Sequence, residues 1–213
     1  MVRLPAARRP GPPRYETERN MTKTKHWTDL AQIRREIDSV DVAIYHAIAE
    51  TPTPIADDNL RRLSQSADRS KLWLSIASAL ALVPGRSRRA ALLGAASIGV
   101  ASLSVNAIVK MLLRRSRPTA ADVPLARQVR MPESTSFPSG HAASAFAFAS
   151  AVGTQLPRLS LPLQLLAATV AYSRVHTGVH YPSDVIFGGA IGSASAAVTA
   201  GAARYLDRAQ RTA

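Results

Sequence analysis

Two long stretches without a charged residue constrain the fold of this 213-residue chain most strongly. Residues 90–109 and 185–203 contain no Asp, Glu, Lys or Arg. About 20 apolar residues in a helix cross the ~30 Å hydrocarbon core of a bilayer, so each stretch predicts a membrane span. Residues 72–84, 142–156 and 159–173 are also uncharged but shorter. We interpret these three as further spans, although by length alone they could be buried core helices.

The sequence therefore predicts an all-α protein in which residues 71–213 form a multi-span transmembrane helical bundle of about five spans. Residues 26–70 are predicted to be an amphipathic helical segment, because apolar residues recur at helical spacing through 30–49 with charged residues between them. The run Thr51-Pro52-Thr53-Pro54 interrupts it, and a second helix is predicted between Asp57 and Ser70. Residues 1–25 are rich in Arg and Pro and are predicted to be disordered.

The formal net charge of +13 raises the question of a polyanionic partner. The basic residues are spread among loops and chain ends, and no nucleic-acid-binding motif is present, so we predict no nucleic-acid partner. Basic residues at the ends of membrane spans are better explained by contact with anionic lipid headgroups than by a nucleic acid. The sequence therefore predicts contact with anionic membrane lipids. The chain has no cysteine, which excludes thiol catalysis and disulfides.

Separated cations and histidines supply what phosphoryl transfer requires. A phosphate ester is anionic, and its transition state spreads charge over the equatorial oxygens, so positioned cations stabilise it. An imidazole can attack phosphorus and divide one hydrolysis into two easier displacements. The departing alkoxide then needs a proton from a second group. The candidate cations are Lys110, Arg117 and Arg174, the candidate nucleophile is His180, and the candidate general acid is His141.

Helix starts are predicted beside both histidines. Asp184 lies four residues after His180 and is predicted to orient its ring, leaving one nitrogen free to attack. Ser139 suits an N-cap, and Pro182 suits the first turn of a helix. Two helix N-termini would then point at the anion.

Alternating spans predict that all these residues reach one side of the membrane. A helix through residues 90–113 would carry Lys110 toward the site and continue until Pro118 ends it. Lys110 and Arg117 are seven residues apart, so they would share a face of that helix.

Three ordered motifs, K-x6-R-P, P-S-G-H and S-R-x5-H-x3-D, resemble those of the type 2 phosphatidic acid phosphatase superfamily, the integral-membrane lipid phosphate phosphatases. The resemblance covers roughly residues 71–203 and implies a metal-independent phosphatase without a cofactor. Consistently, the sequence shows no convincing carboxylate or His/Cys cluster for a metal. The resemblance implies catalytic roles for His180, His141 and Asp184, and phosphate binding by Lys110, Arg117, Ser139, Gly140 and Arg174.

The predicted activity is removal of phosphate from a lipid phosphate or diphosphate through a phosphohistidine. Candidate substrates are phosphatidic acid and polyprenyl-linked precursors of the cell envelope, the second being favoured by an Ala/Arg-rich composition typical of some bacteria. A non-catalytic phospholipid-binding or transport protein with the same pocket is the alternative. The oligomeric state stays open.

Other residues carry secondary predictions. Gly188 and Gly192 form a G-x-x-x-G pair that indicates either close helix packing or simply a Gly/Ala-rich span, and Gly94, Ile98 and Gly99 suggest a similar face. Arg114 and Arg115 are predicted to extend toward headgroups, and His176 to line the wall of the site.

The positive-inside rule predicts the orientation in a bacterial plasma membrane. It makes the face opposite the site cytoplasmic and the site outward-facing, although Arg114, Arg115, Arg127 and Arg130 on the site side oppose this assignment. The basic residues on the opposite face are Arg86, Arg88, Arg89, Arg158, Arg204, Arg208 and Arg211.

Overall fold

The computed structural model describes residues 14–109, 115–119 and 122–212, and side chains within 32–106, 115–119 and 122–212. The regular secondary structure in these ranges is helical and includes no strand, as predicted. The α-helices are α1 (Arg14–Glu50), α2 (Pro54–Ser66), α3 (Lys71–Ala81), α4 (Arg86–Leu103), α5 (Gly140–Gln155), α6 (Pro157–His176) and α7 (Pro182–Thr212).

The chain divides into two compact units, Met1–Val40 and Asp41–Ala213. In the first, α1 begins at Arg14, before the predicted helical segment starts at residue 26. The helix therefore includes residues 14–25, and no proline interrupts the chain between Pro13 and Pro52. The rest of the predicted disordered segment, residues 1–13, lies outside the described residues.

In the larger unit, the end of α1 buries a different stripe from the predicted one. Asp41, Tyr45 and Ala49 are buried, whereas Ile44, one of the apolar residues that recur at helical spacing through 30–49, is 43% exposed. The Asp41 carboxylate is buried here because Arg115 and the Ser183 N–H are its partners. The interruption at residues 51–54 is confirmed: α1 ends at Glu50, and α2 begins with Pro54.

Among the described residues, two helices are long and apolar enough to cross a membrane, Arg86–Asn106 and Pro182–Thr212. They include residues 90–106 of the first long uncharged stretch and all of the second. The other predicted spans form helices, but α3 has only 11 residues, about 16 Å at ~1.5 Å per residue, which is short of a bilayer core. The predicted count of five spans is therefore not confirmed.

Small residues allow the closest helix contacts. A Cβ on Gly188 would lie 2.4 Å from the Ser139 carbonyl oxygen, and one on Gly192 would lie 2.2 Å from that of Ala143. The G-x-x-x-G pair is thus a packing surface between α5 and α7. Gly94 meets Phe148 of α5 in the same way, whereas Gly99 faces open space and is not part of such a surface.

The predicted continuous helix toward Pro118 is wrong. After α4 the backbone widens into a π-helix, Ser104–Val109, and residues 115–119 are not helical. A residue before proline avoids helical dihedral angles, and the Arg115 carbonyl accepts a hydrogen bond from the Ser136 N–H at 2.9 Å. Lys110 lies outside the described residues, so its predicted shared face with Arg117 stays a prediction.

Candidate active site

The turn after α6 places His180. Gly178 has a φ of +72°, a left-handed conformation that favours glycine at the end of a helix. The Arg174 carbonyl then accepts hydrogen bonds from the N–H groups of Val179, at 3.0 Å, and His180, at 3.1 Å. One residue therefore supplies a guanidinium to the site and its carbonyl to the loop that carries the candidate nucleophile.

The two ring nitrogens of His180 have different neighbours. Nδ1 lies 3.4 Å from Asp184 Oδ2, and Nε2 lies 3.3 Å from Arg117 Nη1. The pKa of His180 is lowered to about 3, mainly by burial and also by the charges of Arg117 and Arg174, while Asp184 opposes the shift. The ring is therefore neutral near pH 7, with a proton on Nδ1 toward the carboxylate and a lone pair on Nε2 toward the cation.

Asp184 is fully buried and is held by several donors at the start of α7. Its Oδ2 accepts hydrogen bonds from the Tyr181 N–H at 2.9 Å and from the Ser136 hydroxyl. Its Oδ1 accepts one from Arg115 Nη1 at 3.0 Å. The bond to Tyr181 satisfies one of the open N–H groups at the helix start, so Asp184 anchors the helix and faces His180 at once.

Arg115 does not extend toward headgroups as predicted. Its side chain is 15% exposed and also pairs with Asp41 Oδ2 at 2.8 Å, and its guanidinium lies 4.4 Å from the Tyr181 ring centroid. Asp41 further accepts a hydrogen bond from the Ser183 N–H at 2.8 Å. Arg115 is largely removed from solvent because two carboxylates compensate for its lost hydration.

Arg117 is fixed by carbonyl groups from two loops. Its Nε donates to the Ser134 carbonyl at 2.9 Å, its Nη1 to Val179 at 2.9 Å, and its Nη2 to Thr135 at 3.1 Å. These bonds hold the guanidinium beside His180 before any substrate binds.

Arg174 is buried and only partly hydrogen-bonded. Its Nη1 donates to the Ser64 hydroxyl and lies 3.8 Å from Asp68 Oδ1. Within the described part of the chain, its buried Nε has no hydrogen-bond partner. A buried donor without a partner is costly, and an anion in the site would satisfy it.

The first turn of α5 joins this group. Ser139 is the N-cap as predicted: its hydroxyl accepts from the Ala142 N–H at 3.4 Å, and its own N–H donates to the Asp184 carbonyl at 2.9 Å. The starts of α5 and α7 therefore meet. A Cβ on Gly140 would meet no atom within 4 Å, so this position opens onto free space. His141 Nε2 lies 2.9 Å from Asp68 Oδ1.

Comparison with known proteins identifies the family. The sequence model described as PAP2 superfamily matches residues 90–208. The chain belongs to the PAP2 superfamily. The decaprenylphosphoryl-5-phosphoribose phosphatase of Mycobacterium tuberculosis is 37% identical over 161 residues, covering 75% of this chain and 86% of that protein. An undecaprenyl-diphosphatase of Sulfolobus acidocaldarius is 31% identical over 126 residues, covering 59% and 60%.

A solved structure shares the fold. The PAP2-type phosphatidylglycerolphosphate phosphatase of Bacillus subtilis aligns with a TM-score of 0.64 at 23% identity, covering 80% of this chain and 87% of that one. The predicted family is confirmed, as is the predicted class of enzyme, a lipid phosphate phosphatase.

The structure of this PAP2 chain brings together the described candidates, Arg117, Ser139, Gly140, His141, Arg174, His180 and Asp184, and adds residues that sequence reasoning missed. Arg115 lies inside the K-x6-R-P motif, and Ser136 lies just before the P-S-G-H motif. Their closeness to these motifs in sequence could have indicated that they belong to the site. Asp41, Ser64 and Asp68 come from helices outside the family match. In the sequence, these three residues are marked only by being polar within segments that pack on apolar helices, so nothing in the sequence linked them to the site.

His176 belongs to a neighbouring buried cluster rather than to the wall of the site. Its Nε2 lies 3.0 Å from Asp57 Oδ1, and Arg127 Nε donates to the same oxygen at 2.9 Å. Arg127 also donates to the carbonyls of Ile48, at 3.0 Å, and Thr51, at 2.6 Å. This cluster ties the turn between α1 and α2 to the end of α6.

Proposed function

We propose that this PAP2 chain removes phosphate from a polyprenyl-linked lipid phosphate through a phosphohistidine on His180, without a metal ion. The observation that carries the proposal is the environment of His180: Nδ1 faces Asp184, and Nε2 faces Arg117. A neutral imidazole with its free nitrogen beside a fixed cation is what attack on a bound phosphate requires.

In the first step, Nε2 of His180 forms a bond to phosphorus as the bond from phosphorus to the leaving oxygen breaks. His141 gives its proton to that oxygen, and the lipid alcohol departs. In the second step, water attacks the phosphohistidine, the neutral His141 takes a proton from the water, and the bond from phosphorus to Nε2 breaks. Inorganic phosphate leaves, and both histidines return to their starting states.

Asp184 acts by holding the Nδ1 proton, which keeps the attacking nitrogen unprotonated and stabilises positive charge on the ring during attack. Arg117 and Arg174 hold the phosphate oxygens and stabilise the transition-state charge. The open position at Gly140 and the first turn of α5 bring backbone N–H groups to the same anion, with Ser139 fixing that turn. Lys110 is assigned to phosphate binding by its place in the first motif.

The lipid substrate is proposed from the relatives. Two act, by name, on a decaprenylphosphoryl sugar phosphate and on undecaprenyl diphosphate, and both substrates join a phosphate to a long polyprenyl chain. The proposal places the chain in a bacterial plasma membrane, in contact with anionic lipids, with the site on the outer face.

The test is phosphate release by the purified protein in detergent with excess EDTA. The substrates are phosphatidic acid, a polyprenyl diphosphate and a polyprenylphosphoryl ribose 5-phosphate. We expect release from a polyprenyl-linked substrate, and a fall of at least about 10³-fold in His180→Ala. Acid-labile, base-stable labelling by a ³²P substrate should disappear in the same variant.

Unchanged release by a folded His180→Ala protein would refute the nucleophile. Complete dependence on added metal would refute the metal-independent mechanism. If the native protein binds these lipids without turnover, the chain is a binding or transport protein instead.

A further inference from the structure

A polar cavity of about 620 Å³ opens beside His141, and the proposed mechanism does not use it. The charged and polar residues that line it are Asp68, Arg69, Lys71, Arg130, Glu133 and His141. Its size is within the range of small-ligand sites, ~300–1,000 Å³. Its walls come from two separate segments, the start of α3 and the loop before α5.

The direction of phosphoryl transfer relates this cavity to the leaving group of the substrate. In phosphoryl transfer the nucleophile and the leaving oxygen lie roughly in line on opposite sides of phosphorus. His180 attacks from one side, so the leaving oxygen lies on the other, where His141 protonates it. The group attached to that oxygen would then extend past His141 toward this cavity, which His141 lines.

The charges of the cavity favour an anion. It holds three cationic side chains, Arg69, Lys71 and Arg130, against two carboxylates, and Asp68 is already paired with His141 at 2.9 Å. Glu133 remains as an acceptor for hydroxyl groups. Arg and Lys side chains that converge on one cavity are typical of phosphate recognition.

A second cavity of the larger unit has a contrasting, uncharged lining. It measures about 550 Å³ and is lined almost wholly by apolar side chains, among them Ile44, Phe146 and Val185. A hydrocarbon chain suits that cavity, whereas the His141 cavity offers partners for a charged group.

The backbone at the cavity is strained in a way that points to a site. Arg69 has φ 52° and ψ 30°, and Ser70 has φ 61° and ψ 17°. Two successive left-handed residues other than glycine are costly and cluster at functional sites. The segment also lies outside the family match at residues 90–208. Residues outside the shared part of a family are where we expect differences in substrate selection.

We propose that this cavity holds the leaving group of the substrate and selects a hydroxylated group, such as a sugar, whose far end carries a second anion in a phosphodiester. The inference rests on the proposed function, because it takes His141 as the proton donor. It predicts that a lipid-phosphoryl sugar phosphate is a better substrate than a phosphate ester with a neutral leaving group.

Two synthetic substrates with the same farnesyl chain test this directly. One is farnesylphosphoryl ribose 5-phosphate, and the other is farnesyl riboside 5-phosphate, which lacks only the phosphodiester. We expect native kcat/KM to favour the first by at least about tenfold, the size expected for loss of charge-assisted hydrogen bonds. Arg130→Gln and Lys71→Gln should each reduce kcat/KM for the diester about tenfold and leave the riboside unchanged.

Matched variants separate charge from general damage. Arg130→Lys keeps the charge and should retain most of the preference. Arg158→Gln removes an exposed cation at the start of α6 and should change neither substrate. Two outcomes would overturn the leaving-group site and leave the proposed phosphatase activity intact. One is an equal native kcat/KM for both substrates. The other is an equal loss of kcat/KM on both substrates in Arg130→Gln and Lys71→Gln. Absence of turnover on both substrates and on the lipid panel would overturn the proposed function as well.

Discussion

At the scale of single residues, the site is a set of charges arranged around one neutral imidazole. Arg115 shows why sequence alone misplaces such residues. An arginine near a span end most simply extends to headgroups, and nothing local reveals that Asp41 and Asp184 bury it. The motifs predicted the orienting role of Asp184, but its bonds to Ser136 and Tyr181 depend on loops whose paths follow from tertiary contacts.

The buried His180 makes stability depend on pH. Burial lowers its folded-state pKa to about 3, whereas an unfolded histidine titrates near ~6.5. Between these values the unfolded state binds the extra proton, so this group leaves stability unchanged above about pH 6.5 and reduces it as the pH falls toward 3. The loss approaches ~1.4 kcal/mol per pH unit.

Thermal unfolding in detergent at several pH values from 7.5 to 5 measures this contribution. His180→Gln removes the titrating group and should unfold with a shallower loss of Tm on acidification than the native protein. Parallel Tm curves for the two proteins would show that His180 is not held neutral by the fold.

At the scale of elements, the helices with long uncharged stretches and the capped starts of α5 and α7 could be predicted, since composition and cap residues act locally. The end of α4 could not. Its helical pattern continues toward Pro118, but hydrogen bonds of Arg117 to Ser134 and Val179 hold the chain in a non-helical path. Those partners lie in other loops.

The contact between α5 and α7 should control both stability and activity. A Cβ on Gly192 would lie 2.2 Å from the Ala143 carbonyl oxygen, so Gly192→Ala must push apart the helices that carry His141 and Asp184. We expect a loss of about 1–3 kcal/mol, the usual range for overpacking, and reduced phosphate release.

Gly99→Ala is the matched control, because a Cβ there meets nothing within 4 Å. It should be neutral or raise stability by about 0.5–1 kcal/mol through helix propensity. Tm in detergent and phosphate release measure both variants. Equal behaviour of Gly192→Ala and Gly99→Ala would contradict the packing role of the G-x-x-x-G pair.

At the scale of the whole molecule, the order of helices determines which ends share a side of the membrane. The Arg89 side chain at the start of α4 pairs with Asp207 near the end of α7, which places these basic ends together and away from the site. The sequence predicted this arrangement because spans alternate in direction. It did not predict that Asp41, Ser64 and Asp68 from the preceding helices complete the site, since side-chain contacts over that sequence distance leave no periodic pattern.

The proposed outward orientation can be tested because the chain has no cysteine of its own. Leu125, in the loop between α4 and α5, is 85% exposed, and Leu82, at the other end of α4, is 82% exposed. In spheroplasts, a membrane-impermeant maleimide should label Leu125→Cys directly and Leu82→Cys only after permeabilisation, because basic segments such as the one that follows Leu82 remain cytoplasmic. The reverse pattern would place the site inside, where it would meet lipid phosphates of the inner leaflet. Labelling of both residues in sealed spheroplasts would show instead that α4 does not cross the membrane.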